Sequence, residues 1–411
     1  MEVKPGYKKT EVGVIPEDWE VRPLLSTVRI ANGQVSPRVE PYKSMVLVAP
    51  NHIESSTGKL LAKETAADQG AISGKYLFES GDIVYSKIRP YLRKAILADF
   101  PGLCSADMYP LKPTTHNSSG YILAVILGYR FSKYAESVSV RSGMPKINRT
   151  EMADFSLAVP PLREQRAIAT ALSDVDALLT DLTQLIAKKR DLKQAAMQQL
   201  LTGKTRLPGF SGKWEVKRLG DVINHCFSGA TPRRSRPEFY KGHIRWITSG
   251  ELNYNVIKDT REKISHEAVT QTNLVIHPPG TFLMAITGLE AEGTRGACGI
   301  VGAPSTTNQS CMAVFPTDAL SRQYLFHYYV FRGKSLALQY CQGTKQQSYT
   351  ASIVKQLPIA LPPALPEQTA IAEVLSDMDA EIATLETRLE KTHALKQGMM
   401  QELLTGRIRL V

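Results

Sequence analysis

The chain has 411 residues, 43% of them apolar, with 50 lysines and arginines against 39 acids for a net charge of +11. That length allows two or three domains with cores of their own, and the positive balance makes a polyanion a reasonable partner. The five cysteines, Cys104, Cys226, Cys298, Cys311 and Cys341, are odd in number and form no C-x-x-C pair. This argues against a disulfide framework or zinc site and suits a reducing cytosol.

Residues 1–19 mix Lys and Glu without an apolar core, which is no signal peptide. The longest apolar run, residues 121–128, is too short to span a bilayer. A soluble, cytoplasmic protein is expected, with no membrane partner. From about Val14 to Val159 the pattern is mixed. Residues 82–86, after Gly81, read as a strand, and residues 95–97 as another beyond the basic turn Arg89-Pro90-Tyr91-Leu92-Arg93-Lys94. Ser118 and Ser119 offer an N-cap for a helix over about 121–135. A loop with Arg141, Gly143, Pro145, Lys146, Asn148 and Arg149 then leads to Pro160-Pro161.

Beyond the prolines lies one long predicted helix. Ile168, Leu172, Val175, Leu178, Leu182 and Leu185 step by three and four, and Leu192, Ala196 and Leu200 continue the stripe. Proline bars extension backwards, and Gly203 stands where a left-handed C-terminal cap belongs. Residues 208–361 then repeat the first plan in diverged form. Trp214-Glu215-Val216-Lys217 echoes Trp19-Glu20-Val21-Arg22, residues 280–286 and 298–301 replace the two strands, and Ser321 caps a helix. After Pro362-Pro363 the long helix returns, with Ile371, Leu375, Met378, Ile382, Leu385 and Leu389 followed by Leu395, Met399 and Leu403, and Gly406 as its cap.

The two helical stretches match at one constant offset. Glu164-Gln165, Leu172-Ser173-Asp174 and Asp176-Ala177 return as Glu367-Gln368, Leu375-Ser376-Asp377 and Asp379-Ala380. Lys193-Gln194, Leu200-Leu201-Thr202-Gly203 and Arg206-Leu207 return as Lys396-Gln397, Leu403-Leu404-Thr405-Gly406 and Arg409-Leu410. Such a long period means two copies of a whole module. Roughly 38 residues at ~1.5 Å give a rod of ~57 Å. A rod with so narrow an apolar seam needs a partner, and the other copy is the obvious one. The alternative packs each helix on its own globular part. The helices keep a shared task while the globular parts have diverged.

Catalysis leaves no trace. An adenine methyltransferase needs an Asn/Asp-Pro-Pro-aromatic loop, but 159–162, 277–280 and 361–364 have neither the amide nor the aromatic. The glycine-rich stretch 288–299 lacks a phosphate-cradling motif, the histidines lack ligand spacing, and no catalytic triad or paired-carboxylate arrangement stands out.

The Pro-Pro-x-x-Glu-Gln start, the Ile-Ala…Leu-Ser-Asp-x-Asp run and the Lys-Gln…Met-Gln-x-Leu-Leu-Thr-Gly end, each present twice, resemble the specificity subunit of type I restriction–modification enzymes. The resemblance covers the whole chain. One departure concerns the helix start: Arg163 precedes Glu164 where Pro366 precedes Glu367, and the second copy has an extra residue after its prolines.

The resemblance implies an α+β chain with an internal pseudo-two-fold repeat. Two mixed α/β target recognition domains, 1–159 and 208–361, are joined by helical regions 160–207 and 362–411 packed as an antiparallel coiled coil. Ile168, Leu172, Val175, Leu178, Leu182, Leu185, Ile371, Leu375, Met378, Ile382, Leu385 and Leu389 would form the helix-pair interface. The subunit would be non-catalytic, each domain reading one half of a bipartite site in double-stranded DNA. Its helices would space the domains and dock two methyltransferase subunits, with restriction subunits as possible further partners. The chain itself would hold no cofactor or metal. S-adenosylmethionine would belong to the methyltransferase, and ATP and Mg to a restriction subunit.

The residues supply DNA-binding candidates: Lys87, Arg89, Tyr91, Arg93 and Lys94; Arg141, Lys146, Asn148 and Arg149; Arg233, Arg234 and Arg236; and Thr344, Lys345, Gln346 and Gln347. Arginine suits phosphates and guanine edges, while Asn and Gln suit adenine edges. The bland reading makes them solvated surface charges. The second functional reading is a stand-alone sequence-specific or architectural DNA-binding protein without enzyme partners.

Overall fold

The computed structural model describes residues 4–140, 143–343 and 347–410. It divides into two compact units, residues 1–184 with 387–411, and residues 185–386. The helices Leu162–Leu200 and Leu365–Leu403, 39 residues each, give one part to each unit. Both begin two residues before their glutamate, so the extra residue of the second copy is absorbed ahead of the helix. Gly203 and Gly406 have φ of 68° and 69°, the left-handed cap that the sequence calls for. A Cβ on Gly406 would also strike Pro16.

The first unit holds an antiparallel sheet in the order Val28–Ile30, Met108–Pro113, Ile83–Ser86, Ala95–Leu97. Strand Glu20–Pro23 pairs with Ser156–Val159, which brings the buried Trp19 against the start of the long helix. The helix expected over 121–135 is two helices, Ser119–Leu127 and Tyr129–Val138. Gly128 between them takes an extended conformation, so the register breaks there. The main core joins Trp19, Tyr121, Ile122 and Phe131 to Ile168, Leu172 and Leu403 of the long helices. A smaller core around Val48, Ile53 and Phe78 supports the outer part.

The second unit follows the same plan around a five-stranded sheet, Ile223–Ser228, Cys311–Pro316, Phe282–Ala285, Cys298–Val301, Asn255–Ile257. Strand Glu215–Arg218 pairs with Pro358–Leu361, as Glu20–Pro23 does with its partner. Here the helix capped by Ser321 runs unbroken over Arg322–Tyr340. Its core includes Tyr324, Leu325, Leu200, Ile371 and Leu375. An outlying core of Phe239, Trp246, Ile264 and Ala268 carries the arginine-rich loop.

One of the buried positions at which the units differ holds a titratable histidine. His327, where the repeat places Ala124, has Nε2 2.9 Å from Ser376 Oγ of the long helix. Burial pushes its pKa down to about 4, with Asp379 opposing and Lys193 assisting. The folded unit therefore keeps it neutral while the unfolded chain protonates below its ordinary 6.5. This contribution is complete above pH 6.5 and is lost as the pH falls toward 4. His327→Ala should flatten the acid-side loss of stability of the second unit by up to ~3 kcal/mol. Hydrogen exchange of helix Arg322–Tyr340 at stepped pH measures it, and an unchanged slope would contradict the assignment.

Candidate nucleic-acid interface and helix pair

The two basic loops of the first unit are stitched into one surface. Ile88 and Lys146 form an antiparallel bridge. Arg89 N–H donates to Pro145 O (2.8 Å), and Ile147 N–H to Lys87 O (2.9 Å). Arg89, Tyr91 and Lys146 stand exposed on this tip, with Arg89 in a left-handed conformation. Lys87 and Arg149 both lie over the Tyr109 ring, at 5.1 and 5.8 Å from its centroid. Arg93 donates to Ser132 Oγ (2.8 Å), Lys94 to Pro50 O (2.7 Å), and Arg149 to Asn32 and Ala31 O. Those direct acceptors are uncharged. Asn148 is the N-cap of helix Arg149–Ala153, accepting from Glu151 N–H at 2.8 Å, so its side-chain oxygen is committed to the fold. Arg141 lies outside the described residues.

The second unit stitches the equivalent loops, through the Thr287–Ser348 bridge and the bond from Leu289 N–H to Gln347 O (3.1 Å). Its tip has a different character. Glu290 and Glu292 are exposed there, Glu290 accepting from Gln347 N–H (2.9 Å) and Glu292 pairing with Lys334 (2.9 Å). The sequence reading passed over these acids. Thr344, Lys345 and Gln346 lie outside the described residues.

The three clustered arginine candidates differ in their partners. Arg234 makes a two-toothed pair with Glu262 (2.6 and 2.8 Å) and stacks 4.2 Å from the centroid of Tyr240. Arg236 meets Glu238 (2.6 Å) and Glu267 (3.2 Å). Only Arg233 of the three stands exposed without a carboxylate beside it among the described residues. Glu262 and Glu267 lie 28 and 31 positions along the chain from their arginines, so local sequence did not reveal those two pairs.

The helix-pair candidates also divide. Ile168, Leu172 and Leu182 are buried and Val175 half-buried, but Leu178 and Leu185 are 37% and 39% exposed. The buried neighbours are Leu179 and Ile186, which continue the alternation of four and three from Ile168. Leu178 and Leu185 stand one residue, about 100°, off that seam. Leu192 and Leu395 are exposed as well. In the other helix Ile371, Leu375 and Ile382 are buried, and Met378, Leu385 and Leu389 half-buried.

Within each unit the two helix segments run antiparallel. In the first, Lys396 Nζ lies 2.5 Å from Asp176; in the second, Lys193 Nζ lies 2.5 Å from Asp379. Both lysines occupy seam positions, burying their stems while their charges reach the flank of the facing segment. The helix ends are clasped in the same manner. Arg409 grips both oxygens of Glu164 (2.7 and 2.9 Å) and pairs with Asp18 (2.7 Å). Arg206 grips both oxygens of Glu367, one at 2.6 Å. Glu164 and Glu367 are only 2% and 1% exposed. Trp19 Nε1 adds a bond to Glu164 (3.0 Å), whereas the buried Trp214 Nε1 has no acceptor among the described residues. These residues were visible as repeated letters, but their pairing was not.

Among the described residues, no cluster of His, Cys, Asp and Glu could hold a metal, and no helix is long and apolar enough to cross a membrane. The fold and these surfaces define a duplicated chain whose two units share a plan and carry different side chains at their tips. The family model for the type I restriction modification DNA specificity domain matches residues 16–194 and again 211–393. The chain belongs to that family, and it is a specificity subunit, the non-catalytic DNA-recognition member of such a system.

Among relatives, the Type I restriction enzyme EcoDI specificity subunit of Escherichia coli is 33% identical over 203 residues, spanning 48% of this chain and 44% of that subunit. The Type I restriction enzyme MjaVIII specificity subunit of Methanocaldococcus jannaschii is 23% identical over 96% of this chain and 94% of its own. In fold, the S subunit of a type I restriction–modification system from M. genitalium has a TM-score of 0.62 at 11% identity, covering 98% of each chain. The HsdS subunit from Thermoanaerobacter tengcongensis has a TM-score of 0.51 at 19% identity, covering 96% of this chain and 98% of its own.

The clasp carries a prediction. Arg409→Ala leaves a buried carboxylate without its cation and should destabilise the first unit by roughly 3–5 kcal/mol. Asp18→Ala, at a half-exposed carboxylate, should cost under ~1 kcal/mol. Urea unfolding followed by exchange in each unit separates them, and equal effects would contradict the clasp's importance.

Proposed function

We propose that each unit's globular part reads one half of a bipartite DNA site, residues 1–159 one half and 208–361 the other. Residues 160–207 and 362–411 pack as an antiparallel coiled coil that sets the gap between half-sites and docks two methyltransferase subunits. S-adenosylmethionine belongs to those partners, and ATP and Mg to restriction subunits where they join. The complex works in the cytoplasm on double-stranded DNA.

One observation carries this reading: the glutamate–arginine clasp and the glutamine–serine bond recur at both joints between globular part and helix, while the tips differ. The first tip gathers Lys87, Arg89, Arg93, Lys94, Lys146 and Arg149 with neutral acceptors, so its charge remains available to phosphates and guanine edges. The second tip, with Glu290, Glu292 and Gln347, offers acceptors suited to base amino groups. Arg233 and, outside the described residues, Arg141, Thr344, Lys345 and Gln346 remain candidates for contact.

Arg89→Ala combined with Lys146→Ala tests the assignment. Neither side chain is buried. In complex with the methyltransferase, DNA affinity should fall and its salt dependence should flatten by ~1 per lost phosphate contact. Titration at several salt concentrations reads both. An unchanged slope and affinity would return this tip to ordinary solvated surface.

A further inference from the structure

We infer that Gln165 and Gln368 are positioning residues, each fixing the angle at which its recognition domain leaves the long helix and hence where that domain meets DNA. This rests on the reading of the helices as the spacer between half-sites.

Both glutamines sit in the first turn of a long helix, 1% and 2% exposed. Gln165 Oε1 accepts the backbone N–H of Ser118 (2.9 Å), while its Nε2 donates to Pro160 O (2.9 Å) and His116 O (3.4 Å). Gln368 Oε1 accepts the backbone N–H of Ser321 (2.9 Å), and its Nε2 donates to Ala319 O (3.0 Å). Ser118 and Ser321 are the N-caps of the domain helices Ser119–Leu127 and Arg322–Tyr340. Each serine turns its hydroxyl inward to cap its own helix and its backbone N–H outward to the glutamine.

A primary amide presents an acceptor and a donor together, which a carboxylate or an aliphatic chain of that size cannot do. The glutamine thus holds two points of the domain's loop at once, which fixes direction as well as contact. A tyrosine three residues on completes each joint. Tyr121 Oη donates to Ala158 O (2.8 Å) and Tyr324 Oη to Ala360 O (2.7 Å), both on the strand that leads into the long helix. The adjacent glutamates clasp Arg409 and Arg206, so one Glu-Gln pair locks a domain helix and a second helix end to the same turn.

The domains retain little common sequence beyond this joint, so filling a core does not account for the glutamine–serine and tyrosine–carbonyl bonds that recur at both. The lever is long. Across a domain ~30 Å deep, a rotation of about 7° moves the tip by roughly 3.5 Å, about one base-pair step. Losing one bridging amide is enough to permit that freedom.

The test uses the full chain with its methyltransferase partner and duplexes whose two half-sites are separated by gaps varied one base pair at a time. Gln165→Met and Gln368→Met, made separately, keep the side chain's bulk and lose both bonds. Each should lower the preference for the parent gap over its neighbours by about 5- to 10-fold. Affinity for a duplex with a single half-site should stay within about 2-fold, because the contacts themselves persist. Tyr121→Phe, which removes only the bond to Ala158 O and adds no charge, should give a smaller loss of gap preference, which covers the case of a methionine variant that fails to fold. A gap preference as sharp as the parent's would overturn the inference. So would an equal loss on single half-sites, which would mean that the glutamine only keeps the domain folded. A parent complex with no gap preference would overturn the spacer reading itself, and this inference with it.

Discussion

A carboxylate buried to 1–2% exposure must meet its countercharge at a fixed place, and in this chain that requirement ties distant segments together. Glu164 finds Arg409, 245 positions away, and Glu367 finds Arg206, 161 positions away. Each pair closes a unit from segments remote in the chain, and the antiparallel run of the helix segments follows from it. The seam lysines Lys193 and Lys396 agree with the same register through Asp379 and Asp176. Parallel packing within a unit would strand all four carboxylates.

With that framework fixed twice, the globular parts were free to differ. The outer loops are stitched at the same place in both units, by Ile88–Lys146 and by Thr287–Ser348. Backbone hydrogen bonds do the stitching, so side chains at the tip could change without cost to the joint. One tip became cationic and the other gained Glu290 and Glu292. Divergence of this kind suits a protein in which each unit recognises a different sequence while presenting the same scaffold to its partners.

Much of this was legible in the residues. The duplication, the strand after Gly81, the serine caps and the glycine stops all depend on local chemistry, and they stand where periodicity and turn signals put them. The seam was harder. Leu178 and Leu185 are as apolar as Leu179 and Ile186, so composition could not choose between them; only the sustained alternation of four and three does. The pairs of Arg234 with Glu262 and Arg236 with Glu267 join positions far apart in the chain, so local sequence does not show them. Asn148 looked like a base reader because a cap and a contact call for the same amide. The glutamines were visible as repeated letters, yet nothing in one dimension says that Gln165 faces Ser118.

The central claim is that the helices set the distance between two recognition events. One heptad inserted after Gln184 and another after Thr387, at matching places in the repeat, keeps the seam in phase and lengthens the pair by ~10.5 Å. Selection of DNA from a library of gap lengths reads the consequence directly. The account predicts weaker binding overall, because the added DNA also turns by roughly 100°, with a preferred gap longer by about three base pairs. Retention of the parent gap would contradict it.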